Sequence, residues 1–289
     1  MDAQRGDTGR IKTNERGIAV IKKNIRKYIC FAAIALTLIL VALCEVLREQ
    51  IFGKGVYSDR LYYITTRTLG GVMFLILMFV ESMLGLLKIR PRGLVSAVLF
   101  TLPCWAIAIN NFPIISYFSG NAYIDASATA VLLYALECLS VGFFEEIAFR
   151  GVIFTSILSW RKRTTLDVFW AIVISSAVFG ATHLLNLFAG ASVGSVLLQV
   201  SYSFLIGGMC AVVLVKTKCL WHCILIHSVY NFCGGVVPEL GGGVIWDTPT
   251  VVLTVIVSLA VAAYVIVSLV RIKPNEIEGL FREENSCDI

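Results

Sequence analysis

The amino-acid sequence predicts an all-α fold, a polytopic membrane helix bundle of about eight transmembrane helices with the N-terminus and the C-terminus both inside the cell. Hydrophobic residues make up 58% of the 289 residues and charged residues only 15%, whereas a soluble domain carries about 25% charged residues. Eight apolar runs are long enough to cross about 30 Å of hydrocarbon. Lys and Arg are concentrated in alternate loops between these runs. We therefore expect a multi-pass integral protein of the cell membrane, with the lipid bilayer as its surroundings.

A polar, basic stretch occupies residues 1–27. We interpret it as a cytoplasmic arm that lies against anionic lipid and helps to set the topology. Its cations are Arg5, Arg10, Lys12, Arg16, Lys22, Lys23, Arg26 and Lys27.

The predicted spans follow this arm in close succession. The third differs from the others, because Pro103 lies inside it and Pro113 near its end. In the later part of the chain, two glycine clusters flank Pro238, and we interpret them as a flexible turn on the outside. The eight spans lie near 28–47, 68–87, 94–115, 129–154, 167–187, 194–215, 219–237 and 251–270.

The loops between the spans carry an asymmetric charge. Loops at 116–128, 188–193 and 238–250, predicted to lie outside, contain no Lys or Arg. One predicted outside loop, at 48–67, is basic, and an amphipathic segment at the interface would account for it. The net charge of +5 thus reflects membrane topology, and we expect no nucleic-acid partner. The predicted inside cations are Lys88, Arg90, Arg92, Arg161, Lys162, Arg163, Lys216, Lys218, Arg271 and Lys273.

Two adjacent carboxylates and an arginine interrupt the fourth apolar span. An ionised side chain at mid-bilayer costs at least ~2.5–3.5 kcal/mol, so such groups usually face a polar interior and serve a function. Glu146 and Arg150 are four residues apart, so on a helix they can form an ion pair. Glu145 points about 100° away from Glu146. One carboxylate is therefore expected to be held by the arginine while Glu145 stays free for chemistry.

Two later spans each carry a histidine four residues away from an aromatic or amide side chain. Phe179 and His183 share one helix face in the fifth span, and His227 and Asn231 share one in the seventh. A single buried histidine is often a satisfied core residue that bonds a backbone carbonyl. A purely structural polar cluster is one interpretation of the whole set. We favour a shared site on three spans.

The residue types of this set suit hydrolysis. A carboxylate in apolar surroundings can take a proton from water near neutral pH. An imidazole can orient that water, and a histidine and an asparagine one turn apart offer two N–H donors to an oxyanion. The sequence contains no HExxH, so it does not match a familiar helix-borne zinc protease.

These residues resemble the three motifs of the CPBP family of intramembrane proteases, the CAAX-protease and bacteriocin-processing enzymes formerly called Abi. In order along the chain the motifs read Glu145-Glu146-x-x-x-Arg150, Phe179-x-x-x-His183 and His227-x-x-x-Asn231.

The resemblance covers a core at about 129–237 and implies an intramembrane endopeptidase. Its prenyl-protein branch removes the last three residues of a lipidated CaaX protein, and many bacterial relatives are linked to bacteriocin self-immunity or peptide maturation. The substrate class it implies is therefore a membrane-associated peptide or a lipidated protein.

The resemblance also implies a role for each motif residue. Glu145 would be the base that activates water, and His183 would help to hold that water. His227 and Asn231 would form the oxyanion site. The supporting residues would be Glu146, Arg150 and Phe179.

The same resemblance leaves the metal question open. The family was long labelled metalloprotease, and a carboxylate with two imidazoles is a legitimate zinc set. If zinc were bound, its ligands would be Glu145, His183 and His227. We favour the metal-free glutamate mechanism without a cofactor, since asparagine is a poor zinc ligand and suits hydrogen-bond donation.

Two other functions compete with the protease. A proton-coupled transporter would use Glu145, Glu146, His183 and His227 as a relay, although repeated halves are not evident. A non-catalytic bacteriocin self-immunity or scaffold protein would keep the motifs without cleavage. Further polar residues left open by the sequence are Glu137, Asn186, Gln199, Tyr202 and His222.

We accordingly divide the chain into four parts. The basic cytoplasmic arm at 1–27 precedes N-terminal transmembrane helices at 28–128. The CPBP-like catalytic core follows at 129–237. The last transmembrane helix and an acidic cytoplasmic tail make up 238–289.

Overall fold

Helices dominate the structure, as the apolar runs predict. The computed structural model describes residues 28, 32–37, 39–40, 43–44, 47–53, 55–90, 93–188 and 190–281, and it is 81% helical. The predicted arm at 1–27 and much of the predicted span at 28–47 lie outside the described residues.

The chain divides into two units, residues 1–49 and 50–289. In the first unit, residues 32–37 are helical, and the Thr37 hydroxyl donates to the Ala33 carbonyl over 2.8 Å. All of the predicted site residues belong to the second unit.

The described elements before the core domain are mostly helical. They are α1 (Arg48–Phe52), α2 (Val56–Val80), a 3₁₀ turn (Leu84–Leu87), α3 (Leu94–Asn110), α4 (Ile114–Phe118) and the short strand β1 (Ala122–Ile124).

The elements that follow contain every predicted site residue. They are α5 (Ala128–Glu146), a π-helix (Ile147–Phe154), α6 (Thr155–Ser159), α7 (Thr165–Thr182), a 3₁₀ turn (His183–Leu187), α8 (Val193–Thr217), α9 (Leu220–Leu240), β2 (Gly241–Gly243), α10 (Thr248–Val270) and α11 (Pro274–Glu278).

Six helical segments of the described residues are long and apolar enough to cross a membrane. The helix Leu94–Asn110 is apolar but shorter, and it contains Pro103 as expected. The fold class of a polytopic helical membrane bundle is therefore confirmed, while the count of eight and the orientation stay predictions. The six segments are Tyr57–Val80, Ala128–Ser159, Thr165–Leu187, Val193–Thr217, Leu220–Leu240 and Thr248–Val270.

The prediction of a basic loop at 48–67 is wrong for the second half of that range, which is helical. Helix α2 begins at Val56 and ends at Val80, whereas the span was expected near 68–87. Arg60 is buried and donates to Glu137 over 2.7 Å, and its guanidinium lies 4.7 Å from the Tyr134 ring centroid. A hydropathy profile assigns such an arginine to a loop, because the profile contains no information about contacts with another helix. Here a carboxylate and an aromatic ring on that helix offset the cost of burying the charge.

The predicted flexible turn around the glycine clusters is also wrong. Helix α9 continues through Pro238 to Leu240, and the strand Gly241–Gly243 pairs antiparallel with Ala122–Ile124. A Cβ on Gly241 would collide with the Tyr123 carbonyl oxygen. The glycines at 241–243 therefore allow the backbones of the two paired strands to come close together.

The four loops rich in Lys and Arg gather at one end of the bundle, which we call the basic end. The Trp221 indole at the start of α9 donates to the Leu87 carbonyl over 3.0 Å. The Arg163 guanidinium lies 3.9 Å from the Phe281 ring centroid. The clustering agrees with the charge asymmetry expected for one side of a membrane.

Close helix contacts hold the core domain together. Helix α5 packs against α2 and α9, and α7 packs against α8. A Cβ on Gly142 would collide with the Ser228 hydroxyl, and one on Gly180 would lie 2.9 Å from the Val200 carbonyl oxygen. Small residues at these crossings bring the helix backbones together, which places α5, α7, α8 and α9 around one buried region.

Candidate active site

The helix that carries both glutamates changes its winding directly after them. Helix α5 ends at Glu146 and a π-helix runs over Ile147–Phe154. Ile147, Ala148 and Arg150 in this segment are fully buried. A π segment adds a residue to the turn and often marks a functional position. Local spacing in the sequence contains no signal for this change.

Glu146 is held by the arginine of its own motif. Its side chain is 0% exposed, and its Oε1 lies 3.0 Å from Arg150 Nη1. The i,i+4 ion pair expected from the spacing is present. Its burial excludes Glu146 from direct contact with bulk water.

His227 is the second partner of Glu146, which the sequence did not indicate. The distance from His227 Nδ1 to Glu146 Oε1 is 2.7 Å. Because an ionised carboxylate only accepts, we assign the proton to Nδ1. A carboxylate on one imidazole nitrogen fixes the orientation of the ring and of its other nitrogen.

Glu145 faces the other nitrogen of the same imidazole. Its Oε2 lies 3.4 Å from His227 Nε2, and its side chain is 16% exposed. The Tyr202 hydroxyl is within electrostatic range of this carboxylate. Of the two adjacent glutamates, Glu145 is thus the accessible one, and His227 lies between them.

His183 is the first residue after α7, at the start of a 3₁₀ turn. Its Nδ1 lies 3.1 Å from the Phe179 carbonyl oxygen, to which it donates, and its Nε2 lies 3.5 Å from Ser203 Oγ on α8. The ring is half-buried. A backbone carbonyl therefore satisfies one nitrogen, and the other faces α8. The sequence offers no signal for Ser203, since serines are common in such helices.

The Phe179 ring joins the three motifs. Its centroid lies 5.1 Å from that of His183 and 5.8 Å from that of His227. The Arg150 guanidinium lies 4.5 Å from the same centroid. Phe179 is 1% exposed, so this cation–π contact is desolvated. The motif phenylalanine is a contact point for both imidazoles and the arginine.

Asn231 lies one turn beyond His227 on α9, about 6 Å along the helix axis. It is half-buried, and its backbone carbonyl accepts from the Tyr134 hydroxyl over 3.4 Å. Within the described part of the chain, its side-chain amide makes no hydrogen bond. The structure thus links six of the seven predicted residues by direct contacts, and the amide of the seventh is available to a ligand.

The other polar residues left open by the sequence have separate surroundings. Glu137 bonds Arg60, which also lies 3.3 Å from Glu239, so it belongs to an ion-pair group. Asn186 donates to Gln199 Oε1 over 2.7 Å. His222 lines a cavity at the basic end, which is described below.

The residues as placed do not fit a zinc site. Among the described residues, no three His, Cys, Asp or Glu side chains are grouped so that they could hold a metal ion. No step proposed below involves a metal.

Comparison with known proteins identifies the same part of the chain. Residues 127–233 match the family model described as type II CAAX prenyl endopeptidase Rce1-like, a range that includes all seven predicted site residues. No curated protein matches the chain, and no solved structure does. The family match supports an intramembrane endopeptidase of the CAAX type in a multi-pass membrane protein. The resemblance seen in the motifs is therefore confirmed, because residues 127–233 match an Rce1-like domain in agreement with the CPBP family.

Proposed function

We propose that this protein is an intramembrane endopeptidase that hydrolyses a peptide bond in a prenylated or otherwise membrane-associated protein, with water activated by Glu145. The observation that carries the proposal is the unequal environment of two adjacent carboxylates. Glu146 is fully buried between Arg150 and His227, while Glu145 is partly exposed beside His227 Nε2.

Glu145 acts as the general base in this proposal. It takes a proton from water, and the resulting hydroxide attacks the carbonyl carbon of the scissile peptide bond. The same carboxyl group then returns the proton to the leaving amine. General acid–base action of this kind typically contributes about 10²–10⁴-fold in rate.

His183 positions the attacking water. Because its Nδ1–H donates to the Phe179 carbonyl, the neutral ring presents Nε2 as an acceptor. An acceptor at this position can take a hydrogen bond from the water. The Ser203 hydroxyl on the same side supplies a second polar group.

His227 and Asn231 stabilise the oxyanion. This role requires protons on both nitrogens of His227, and a carboxylate oxygen faces each of them in the structure. The Asn231 amide is a second donor one turn away. Loss of one such donor typically lowers kcat about 10²–10³-fold.

The family match and the location of the site support a substrate that is attached to the membrane. The motif residues lie on helices of membrane-spanning length, so the proposed substrate is one that a lipid holds at the bilayer. A type II CAAX prenyl endopeptidase description supports a prenylated C-terminal peptide as that substrate.

The test compares two glutamate variants of the purified full chain in detergent micelles. Cleavage of a farnesylated CaaX peptide is measured by mass spectrometry of both products. We expect Glu145→Gln to lower kcat at least about 10²-fold. Glu239→Gln is the matched control, because Glu239 lies at the end of α9 with 55% of its side chain exposed, and it should cleave like the unmodified protein.

Other outcomes would assign another function. Full cleavage by Glu145→Gln would reject the proposed base. Absence of cleavage together with Glu145-dependent proton flux in liposomes would favour the transporter. Protection of cells against a bacteriocin that survives Glu145→Gln would favour the non-catalytic immunity protein.

A further inference from the structure

A cavity of about 490 Å³ lies at the basic end, between the start of α3, the junction of α8 with α9, and the end of α10. Its lining includes His222, which precedes His227 on α9 by five residues, about 7.5 Å along the helix axis. None of the seven motif residues lines it. The cavity is therefore distinct from the candidate active site.

The charge of the cavity is strongly unbalanced. Arg90, Lys216, Lys218 and Arg271 line it, together with the single carboxylate of Glu276. Lys216 Nζ lies 3.0 Å from each oxygen of that carboxylate. Glu276 is thus committed to one lysine, and three cations of the lining remain.

These three cations have no acidic partner among the described residues. Arg90 and Lys218 are half-buried, while Arg271 is exposed at the end of α10. Like charges held around one cavity repel each other, and an anion between them removes that repulsion. The cavity therefore has the electrostatics of an anion site.

The first turn of α3 adds hydrogen-bond donors to the lining. Gly93 precedes the helix with φ 93°, and its first turn has no side-chain cap. Gly93, Leu94 and Ser96 all line the cavity. Backbone N–H groups at a helix start have no partner within the helix and attract anions through the helix dipole. Beside arginine and lysine, such donors suit phosphate oxygens.

Apolar side chains complete the cavity and continue onto an exposed apolar surface of α3. Ile89, Leu94 and Phe100 line it, and Ile89 and Leu94 are exposed, as are Val95 and Leu99 further round α3. A phosphate attached to acyl chains would thus meet cations at its head and apolar surface along its tail.

We propose that this cavity binds a phosphate group, with Arg90, Lys218, Arg271 and the first turn of α3 as its donors. Two sources share this chemistry, the headgroup of an anionic phospholipid and soluble phosphate. The proposal does not depend on the cleavage reaction.

The experiment measures lipid binding to the purified full chain by native mass spectrometry. The probes are dioleoyl phosphatidic acid and dioleoylglycerol, which differ only in the phosphate group. We expect the unmodified protein to retain phosphatidic acid in preference to dioleoylglycerol. The double variant Arg90→Gln/Arg271→Gln should bind phosphatidic acid at least about tenfold more weakly, because a hydrogen bond to a charged group is lost at each position.

Lys162→Gln is the matched control, since it removes one cation from an exposed loop of the basic end outside the cavity. It should bind phosphatidic acid as the unmodified protein does. Equal binding by the double variant and the unmodified protein would overturn the proposal. Should the double variant fail to fold, Arg271→Gln alone, at an exposed helix end, carries the test with the same expected direction.

Inorganic phosphate as a competitor distinguishes the two sources. If millimolar phosphate does not displace phosphatidic acid, the site takes a lipid headgroup. If phosphate displaces the lipid, binds to the unmodified protein by itself and does not bind to the double variant, the cavity is a phosphate site for a soluble ligand. Retention of dioleoylglycerol and phosphatidic acid to the same extent, without competition, would also overturn the proposal.

Discussion

His227 Nδ1 lies 2.7 Å from Glu146 Oε1 while its Nε2 lies 3.4 Å from Glu145 Oε2, so one imidazole on α9 contacts both carboxylates at the end of α5. This relationship connects the buried ion pair of Glu146 and Arg150 to the more exposed Glu145. Under the proposed mechanism, Glu146 positions His227 and the two glutamates have separable roles.

Replacement of Glu146 by Ala should destabilise the protein strongly. Arg150 would be left as a buried charge without its carboxylate, which typically costs about 3–5 kcal/mol. Thermal unfolding in detergent, followed by intrinsic fluorescence, measures the effect. Glu145→Ala serves as the comparison, because it removes a partly exposed carboxylate and should lower cleavage while Tm changes little. Equal Tm values for the two variants would contradict the assigned roles.

Replacement of Asn231 by Ala should separate catalysis from stability. Its side-chain amide bonds no other described residue, so we expect kcat to fall about 10²–10³-fold with an unchanged Tm. Asn111→Ala is the matched control, because Asn111 donates to the Tyr230 carbonyl over 2.8 Å. This control should lower Tm and retain kcat per folded molecule. A normal kcat in Asn231→Ala would exclude the amide from the oxyanion site.

Replacement of Phe179 by Leu should impair cleavage beyond its effect on stability. The substitution removes the ring that contacts His183, His227 and Arg150 but keeps an apolar side chain. We expect kcat to fall by at least about tenfold as the cation–π and ring contacts, worth about 0.5–2 kcal/mol each, are lost.

The control for this variant is Phe74→Leu. Phe74 is equally buried, and its ring centroid lies 5.8 Å from that of Phe144. Similar losses of Tm in both variants, with a loss of kcat only in Phe179→Leu, would support the linking role. If kcat fell equally in both variants, Phe179 would have only the structural role of a buried core residue.

Metal removal should leave the reaction unaffected under the proposed glutamate mechanism. Purified protein dialysed against a strong zinc chelator is expected to cleave the farnesylated peptide at its original rate. The metal content, measured by plasma mass spectrometry on the same samples, is expected to stay far below one zinc per chain. Loss of cleavage that added zinc restores would contradict the mechanism and leave the peptidase assignment intact.

Several features of the site could be predicted because they depend only on local helix geometry. Glu146 and Arg150 pair four residues apart, and Phe179 contacts His183 at the same spacing. A spanning helix must satisfy its own backbone hydrogen bonds, so residues about one turn apart stay neighbours even where the winding changes, as it does after Glu146 and at His183. Rare polar residues within apolar runs then identify which spans carry the chemistry.

Other features depended on contacts between elements distant in sequence. Hydropathy placed Arg60 in a loop, because its partner Glu137 lies on another helix. The glycines at 241–243 form a strand only because β1 lies beside them. No hydropathy pattern contains such partners.

The amino-acid sequence by itself determined the helical membrane fold, the three motifs and the accessible character expected of Glu145. Only the tertiary structure decided that His227 lies between both glutamates and that Phe179 joins the motifs. The physical reason is that helix rotation and approach are set by close contacts such as Gly142 with Ser228. Those contacts are a property of packed helix pairs and are absent from the periodicity of any single helix.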